Sequence, residues 1–262
     1  MFDEPTSARR MAEDLGKLGV TPGDVLIVHT SMRSLGYVIG GSQAVLDALH
    51  AAVGTEGTLV MPTQSWQSCD PAFLAEPGVP EEWWPAIRDG LPAYDPARSP
   101  SQSMGVVAEL LRTEPGARRS GHPHRSITAS GSNASVITAR HDLDCPSGER
   151  SPLAVLYELR AMILLLGVKA DRATAQHLAE HRAEFARKHL VPNGAPILHE
   201  GRREWRSWRE LAVDDGDFLQ VADAYANSGL ERRVGLVGAA TAQLIPMRRL
   251  VDFAVDWFTA HR

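Results

Sequence analysis

Cysteine is scarce in this 262-residue chain, which carries only Cys69 and Cys145. Two cysteines cannot build the disulfide framework of a small secreted domain, and no C-x-x-C pair offers a redox or zinc motif. A reducing, cytoplasmic setting is therefore expected. Long apolar runs are absent too. The longest, AMILLLGV at Ala161–Val168, is far too short to span a bilayer and reads as a buried strand. The first residues, MFDEPTSARRMAED, are charged and lack the apolar stretch of a secretory leader. Positive charge is not in excess: 27 Lys and Arg against 32 Asp and Glu leave a net charge of −5. That argues against a general nucleic-acid binder, which needs a basic stripe, and neither nucleic acid nor membrane is expected as a partner. Three motifs are missing as well. There is no Gly-Lys-Ser/Thr phosphate loop, no G-x-G-x-x-G, and no G-x-S-x-G nucleophile elbow.

What remains is an ordinary globular composition, 44% hydrophobic and 23% charged, without repeats. Thr6–Leu18 has the pattern of an amphipathic helix, capped by Thr6 or Ser7 and stopped at Gly19. DVLIVHTS reads as a buried strand whose polar end, His29–Ser31, emerges at a sheet edge. A helix capped by Ser42 and a second buried strand, GTLVMPT, follow, which implies a parallel pair with a right-handed crossover. Ser65–Pro100 is a long irregular stretch rich in Pro, Trp and acid. Beyond it the pattern predicts a helix over Ser101–Arg112, a strand in SGHPHRSITASG, and a helix over Pro152–Leu159. AMILLLG is then a central strand with a helix, DRATAQHLAEHRAEF, starting directly after it. A hairpin over Ala195–Arg206 around Glu200-Gly201 and helices near Asp217–Asn227 and Met247–His261 complete the reading, with RVGLVGAA as a strand between the helices. The expected fold is α/β: one domain over residues 1–262, with a largely parallel or mixed central sheet flanked by helices and an insertion at 65–100.

Two features carry chemistry. HLAEH sets His177 and His181 four apart around Glu180. On a helix this is the spacing of an H-x-x-E-H zinc site, although nothing in the sequence marks a third ligand. The same residues read equally as one catalytic imidazole, or as two histidines on a solvated face that continues through HRAEFARK. Position favours a working histidine, because in a parallel sheet His177 and His29-Thr30-Ser31 meet at one rim. The second feature is LGYVIGGSQAV, where Gly36, Gly40 and Gly41 precede a helix. Free backbone N–H groups there suit a phosphate, and equally a plain turn and cap. Cys69 and Cys145 have no adjacent basic residue in the sequence that would activate a thiolate.

In order along the chain, VHTSMRSLGYVIGG, GTLVMPT, PEEWWPAIRDGLPAYDPARSPSQSMG, SGHPHRSITASG and LLLGVKADRATAQHLAEHRA closely resemble the aminoglycoside 3-N-acetyltransferase family of antibiotic N-acetyltransferases. The resemblance spans roughly Leu15 to Phe218. It implies a fold distinct from the common GNAT acetyltransferases, acetyl-coenzyme A as co-substrate, no metal, and the 3-amino group of a 2-deoxystreptamine antibiotic as acceptor, with resistance as the outcome. An acetyltransferase of the same fold acting on another amine is the alternative. His177 matches the family's catalytic histidine. Glu210 matches an acid that assists it, Ala212 stands where many relatives carry a second acid, and Asp171 is the other candidate partner. The coenzyme-contacting positions implied are His29, Thr30, Ser31, Arg33, Ser34, Leu35, Val38, Gly40 and Gly41, with Ser101 and Gly105 in a second turn. Gln64, a position where relatives often carry histidine, joins Asp70, Glu81, Tyr94, Asp95 and Glu180 as candidates for the acceptor site.

Overall fold

The computed structural model describes residues 4–262, so the first three residues of the charged leader stretch lie outside the described part. Seven strands form one sheet: β1 (Val25–Thr30), β2 (Thr58–Pro62), β3 (Arg118–Arg119), β4 (Ile127–Gly131), β5 (Met162–Leu166), and the later β8 (Arg233–Val237) and β9 (Ala240–Pro246). A separate hairpin pairs β6 (Leu190–His199) with β7 (Arg202–Leu211). The spatial order of the main sheet is β3-β4-β2-β1-β5-β9-β8. Only its centre is parallel: β1 runs with both β2 and β5, and the outer strands pair antiparallel. The sheet is mixed, and its first strand lies in the middle.

Alternation along the central strands decides the layers. Val25, Ile27, Val60, Ile163 and Leu165 face one apolar core, and Leu26, Val28, Leu59, Met61, Leu164 and Leu166 face the other. The second core is closed by α1 (Ala8–Leu18), α2 (Gly41–Val53) and α5 (Val106–Thr113). Two short helices, α3 (Pro71–Leu74) and α4 (Trp84–Gly90), precede α5 within the insertion. The first core is closed by α6 (Ala134–Thr138), α7 (Pro152–Glu158), α8 (Gln176–Arg182), α9 (Phe218–Asn227) and α10 (Met247–His261). This is a helix–sheet–helix sandwich. Among the described residues no helix is long and apolar enough to cross a membrane.

Local chemistry sets the boundaries and corrects several expectations. Ser7 caps α1 by accepting from the Arg10 amide, and Gly19 ends it in the left-handed region. Ser42 does not cap α2; Gly40, at φ 87°, occupies that position. The helix expected from Ser101 begins only at Val106, because Ser103 and Gly105 both hold positive φ. The helix expected directly after β5 is broken by a 3₁₀ turn at Ala170–Arg172, leaving α8 only seven residues. The hairpin is longer than expected, and α6 and β9 carry no clear sequence signal. The 65–100 stretch holds short helical segments and joins the hairpin through a bridge from Tyr94 to Ile197.

Leu164 is fully buried on the central strand. Leu164→Ala should lower unfolding free energy by about 3 kcal/mol in urea denaturation. Leu190→Ala, at a site 50% exposed, should change it by less than about 0.5 kcal/mol.

Candidate active site

The three parallel strands end at the same edge of the sheet, and the chain segments leaving them wall a cleft of about 670 Å³. From β1 come His29, Thr30, Ser31 and Arg33. From β2 come Met61, Pro62, Gln64 and Trp66, and from the segment after β5 come Val168, Asp171, Arg172 and Thr174. The start of α5 contributes Gly105 and Val106. Gly105 sits at φ +87°, a conformation that glycine adopts without strain, and it lies beside the Thr30 carbonyl at the end of β1. The opposite wall holds His177 from α8, with Asp215 and Phe218 from the start of α9.

His177 has a defined partner. Its Nδ1–H donates to Glu180 Oε2 at 2.5 Å, and its ring packs on Phe218 at 4.8 Å between centroids. The pair is one helical turn apart on α8, the spacing at which side chains meet. The Glu180 side chain has no exposure to water. Its other oxygen accepts from the Asp214 amide at 2.8 Å and from Arg262 at 2.6 Å. Burial alone would raise the Glu180 carboxyl; the hydrogen bonds from His177, Arg262 and the Asp214 amide outweigh it and hold the group below its ordinary value. A carboxylate accepting at Nδ1 fixes the tautomer, leaving the His177 Nε2 lone pair free.

The other imidazoles are set differently. His29 is lowered to about 4 by burial, and its Nε2 is sealed from water without a protein partner, so the ring is neutral at pH 7. His181 is half-buried rather than on a solvated face. Burial takes it to about 4 as well, and its ring stands against Gly148, where a Cβ would meet Nδ1 at 2.6 Å. His177 and His181 therefore serve different neighbours and do not converge. Among the described residues, one group of three donors comes close enough to suggest a metal: His122, His124 and Glu210, within 4.8 Å. Two of the three, Glu210 and His122, are already engaged, while both ring nitrogens of His124 are buried without a partner. Glu210 accepts from Arg125 and Trp208, and His122 Nδ1 accepts from two backbone amides.

Comparison with known proteins identifies the family. The family described as Aminoglycoside 3-N-acetyltransferase matches residues 27–259. The chain belongs to the aminoglycoside 3-N-acetyltransferase family. A prophage-derived aminoglycoside N(3')-acetyltransferase-like protein of Bacillus subtilis, YokD, is 40% identical over 255 residues, covering 97% of this chain and 93% of the relative. Its crystal structure aligns with a TM-score of 0.96, covering 99% of this chain and 96% of that one. Aminoglycoside N(3)-acetyltransferase VII of Streptomyces paromomycinus is 38% identical over 268 residues, covering 97% and 92%. The binary structure of AAC-IIIb with CoASH aligns at 32% identity with a TM-score of 0.86, covering 97% and 96%.

Within this acetyltransferase-family fold the expected site residues divide. His29, Thr30, Ser31, Arg33, Gln64, Gly105, Asp171 and His177 line the cleft. Ser34 lies just behind, bonded to Ser31, while Leu35 and Val38 are buried in the apolar core, and at the start of α2 Gly40 is exposed and Gly41 half-buried. Ser101 donates to Glu109 instead of facing the cleft. Several expectations are corrected outright. Glu210 is not the partner of His177: it is sealed on β7 with Arg125 and Trp208. Asp171 lines the cleft but does not bond the imidazole, and its Oδ1 has no partner. Glu180 does not face an acceptor, being spent on His177 and Arg262. Asp70 caps α3 and pairs with Arg88, and Glu81 is exposed outside the cleft. Tyr94 is buried and donates to the Ser120 carbonyl, and Asp95 caps the turn at Ala97–Ser99. The sequence reading missed Asp215 and Phe218. It named Glu180 in the wrong role, although its spacing from His177 was the available signal.

A depressed carboxyl contributes stability above its unfolded value, and that contribution is lost as pH falls through the folded value. Glu180→Gln should therefore cost about 3 kcal/mol at pH 7, since it leaves Arg262 facing a neutral amide. The gap to wild type should narrow as pH falls below the ordinary carboxyl value of 4.5. Denaturation midpoints at pH 7 and pH 4 check this.

Proposed function

We propose that this chain transfers an acetyl group from acetyl-coenzyme A to the 3-amino group of 2-deoxystreptamine aminoglycosides, with His177 as general base. The observation that carries the reading is the His177 imidazole in the cleft wall, its Nδ1 committed to a buried carboxylate. In the neutral form of such a ring the lone pair lies on Nε2, the atom needed to take a proton from an attacking amine. The amine attacks in its neutral form, and its nitrogen becomes positively charged as the new bond forms, so a base has to take one proton from it.

In the reaction the amine nitrogen bonds to the thioester carbon and the carbon–sulfur bond breaks. The amine proton passes to His177 Nε2 and from there to the departing sulfur, which leaves as the free thiol and restores the neutral imidazole. Glu180 stabilises the imidazolium while it exists. Negative charge on the thioester oxygen would be met by hydroxyl or backbone N–H groups at Thr30 and Ser31. The Thr30 hydroxyl is buried without a protein partner, as a group reserved for a ligand would be. Arg33 and Arg172 give the rim positive charge suited to phosphates. Asp171 and Asp215 are the two acids lining the cleft, and they would receive the ammonium groups of the acceptor. The names of the curated relatives supply the acceptor class, and the CoASH-bound neighbour supplies the donor. Resistance on expression follows if the acceptor is an antibiotic.

Purified protein with acetyl-coenzyme A and gentamicin, apramycin or neomycin should release free thiol. His177→Ala should lower kcat by roughly 10²–10⁴-fold while coenzyme affinity stays within about twofold. Normal turnover by that variant would refute the base assignment. Thiol release with other amines but none of the antibiotics would move the activity to a different acceptor.

A further inference from the structure

We infer that Arg262 is a positioning residue of the transfer reaction, clamping the carboxylate that orients the His177 imidazole. The inference rests on His177 being the general base. Arg262 ends α10, far from His177 in sequence, and its side chain is only 9% exposed. Every nitrogen of its guanidinium is engaged. Nη1 donates to Glu180 Oε1 at 2.6 Å, and Nε donates to Asp217 Oδ2 at 2.8 Å. Nη2 donates to Asp217 Oδ1 at 2.5 Å and to the Asp214 carbonyl at 2.6 Å. Its flat face lies 4.0 Å from the Phe258 ring centroid and 5.5 Å from that of Phe185. Phe258 packs on Phe218, and Phe218 packs on the His177 ring. The cation thus touches the dyad by charge through Glu180 and by packing through two aromatic rings.

The chemistry explains why a cation is needed there. Glu180 and His177 alone would leave an anion with no water around it, and burial favours its protonated form. A protonated Glu180 would donate its O–H to His177 Nδ1. The imidazole would then carry its proton on Nε2, the nitrogen that has to accept one. Arg262 and the Asp214 amide keep Glu180 ionised and so keep the working tautomer. Asp217, by holding the guanidinium in a two-point fork, sets where the cation sits.

Other charged groups near the dyad do not replace this role. On α8 itself His181 is neutral at working pH. Asp171 and Arg172, neighbours on the turn before α8, pair with each other at 3.6 Å. Before α9, Asp214 offers its backbone amide to Glu180 and its backbone carbonyl to Arg262, and Asp215 lines the cleft, adding negative charge. From α10 only Arg262 reaches the carboxylate.

The test is the pH profile of kcat/KM for wild type, Arg262→Met, Arg262→Lys, Asp217→Asn and His177→Ala. Arg262→Met should lose roughly ten- to a hundredfold in kcat with KM for both substrates within about twofold. Its acid limb should move to higher pH, because Glu180 then protonates more readily. Arg262→Lys should restore part of the rate and of the limb position, and Asp217→Asn should shift the limb in the same direction by less. If Arg262→Met does not fold, the Lys and Asn variants decide by the same shift. A wild-type limb position in the folded Arg262 and Asp217 variants, with activity lost only in proportion to lowered thermal stability, would mean a purely structural role and overturn the inference. Full activity in His177→Ala would instead overturn the base assignment beneath it, so the two failures are distinguishable.

Discussion

A carboxylate with no contact with water stays ionised only if hydrogen bonds and a counter-charge replace what solvation supplied. Glu180 is such a group, and the arrangement of the candidate active site follows from it. One oxygen holds His177 and the other takes a guanidinium and a backbone amide. The helix that carries both residues has only seven, too few to hold the dyad by its own hydrogen bonding. Its geometry is imposed from outside, by α10 through Arg262 and by the start of α9 through Asp214 and Phe218.

The sheet determines what that dyad faces. Because β1 lies between two parallel neighbours, three strand ends open onto one edge, where doubly wound folds bind ligands. One wall is built from the ends of β1 and β2 and the start of α5, the other from the segment after β5 and the starts of α8 and α9. Both signs of charge line the rim: Arg33 and Asp215 are joined there by Asp171 and Arg172, which pair at 3.6 Å. Gln64 and Trp66, at the start of the long insertion, bring that segment to the same cleft.

Much of this could be read from the sequence where pattern and physics coincide. The buried strands β1, β2 and β5 announce themselves by short apolar runs, α1 by its cap and stop, and His177 by its place after a central strand. Failures fall where tertiary contacts override local signals. Positive φ at Ser103 and Gly105 delays α5 beyond what the apolar spacing suggests. A 3₁₀ turn interrupts the segment before α8, because Asp171 and Thr174 are drawn into the cleft wall. The acids assigned by resemblance or by charge alone fared worst. Glu210, Asp70 and Asp95 are each satisfied locally, by Arg125, by Arg88 and by turn amides. No local pattern marks Arg262, whose partners are up to 82 residues away in sequence.

The most direct measurement is the protonation state of His177 itself. In ¹⁵N-histidine-labelled protein near pH 8, with the resonance assigned by loss in His177→Ala, long-range nitrogen–proton correlations separate the two tautomers. The account predicts a proton on Nδ1 and an unprotonated Nε2. A neutral ring with its proton on Nε2 would contradict it, because that nitrogen would have no lone pair for the incoming amine's proton.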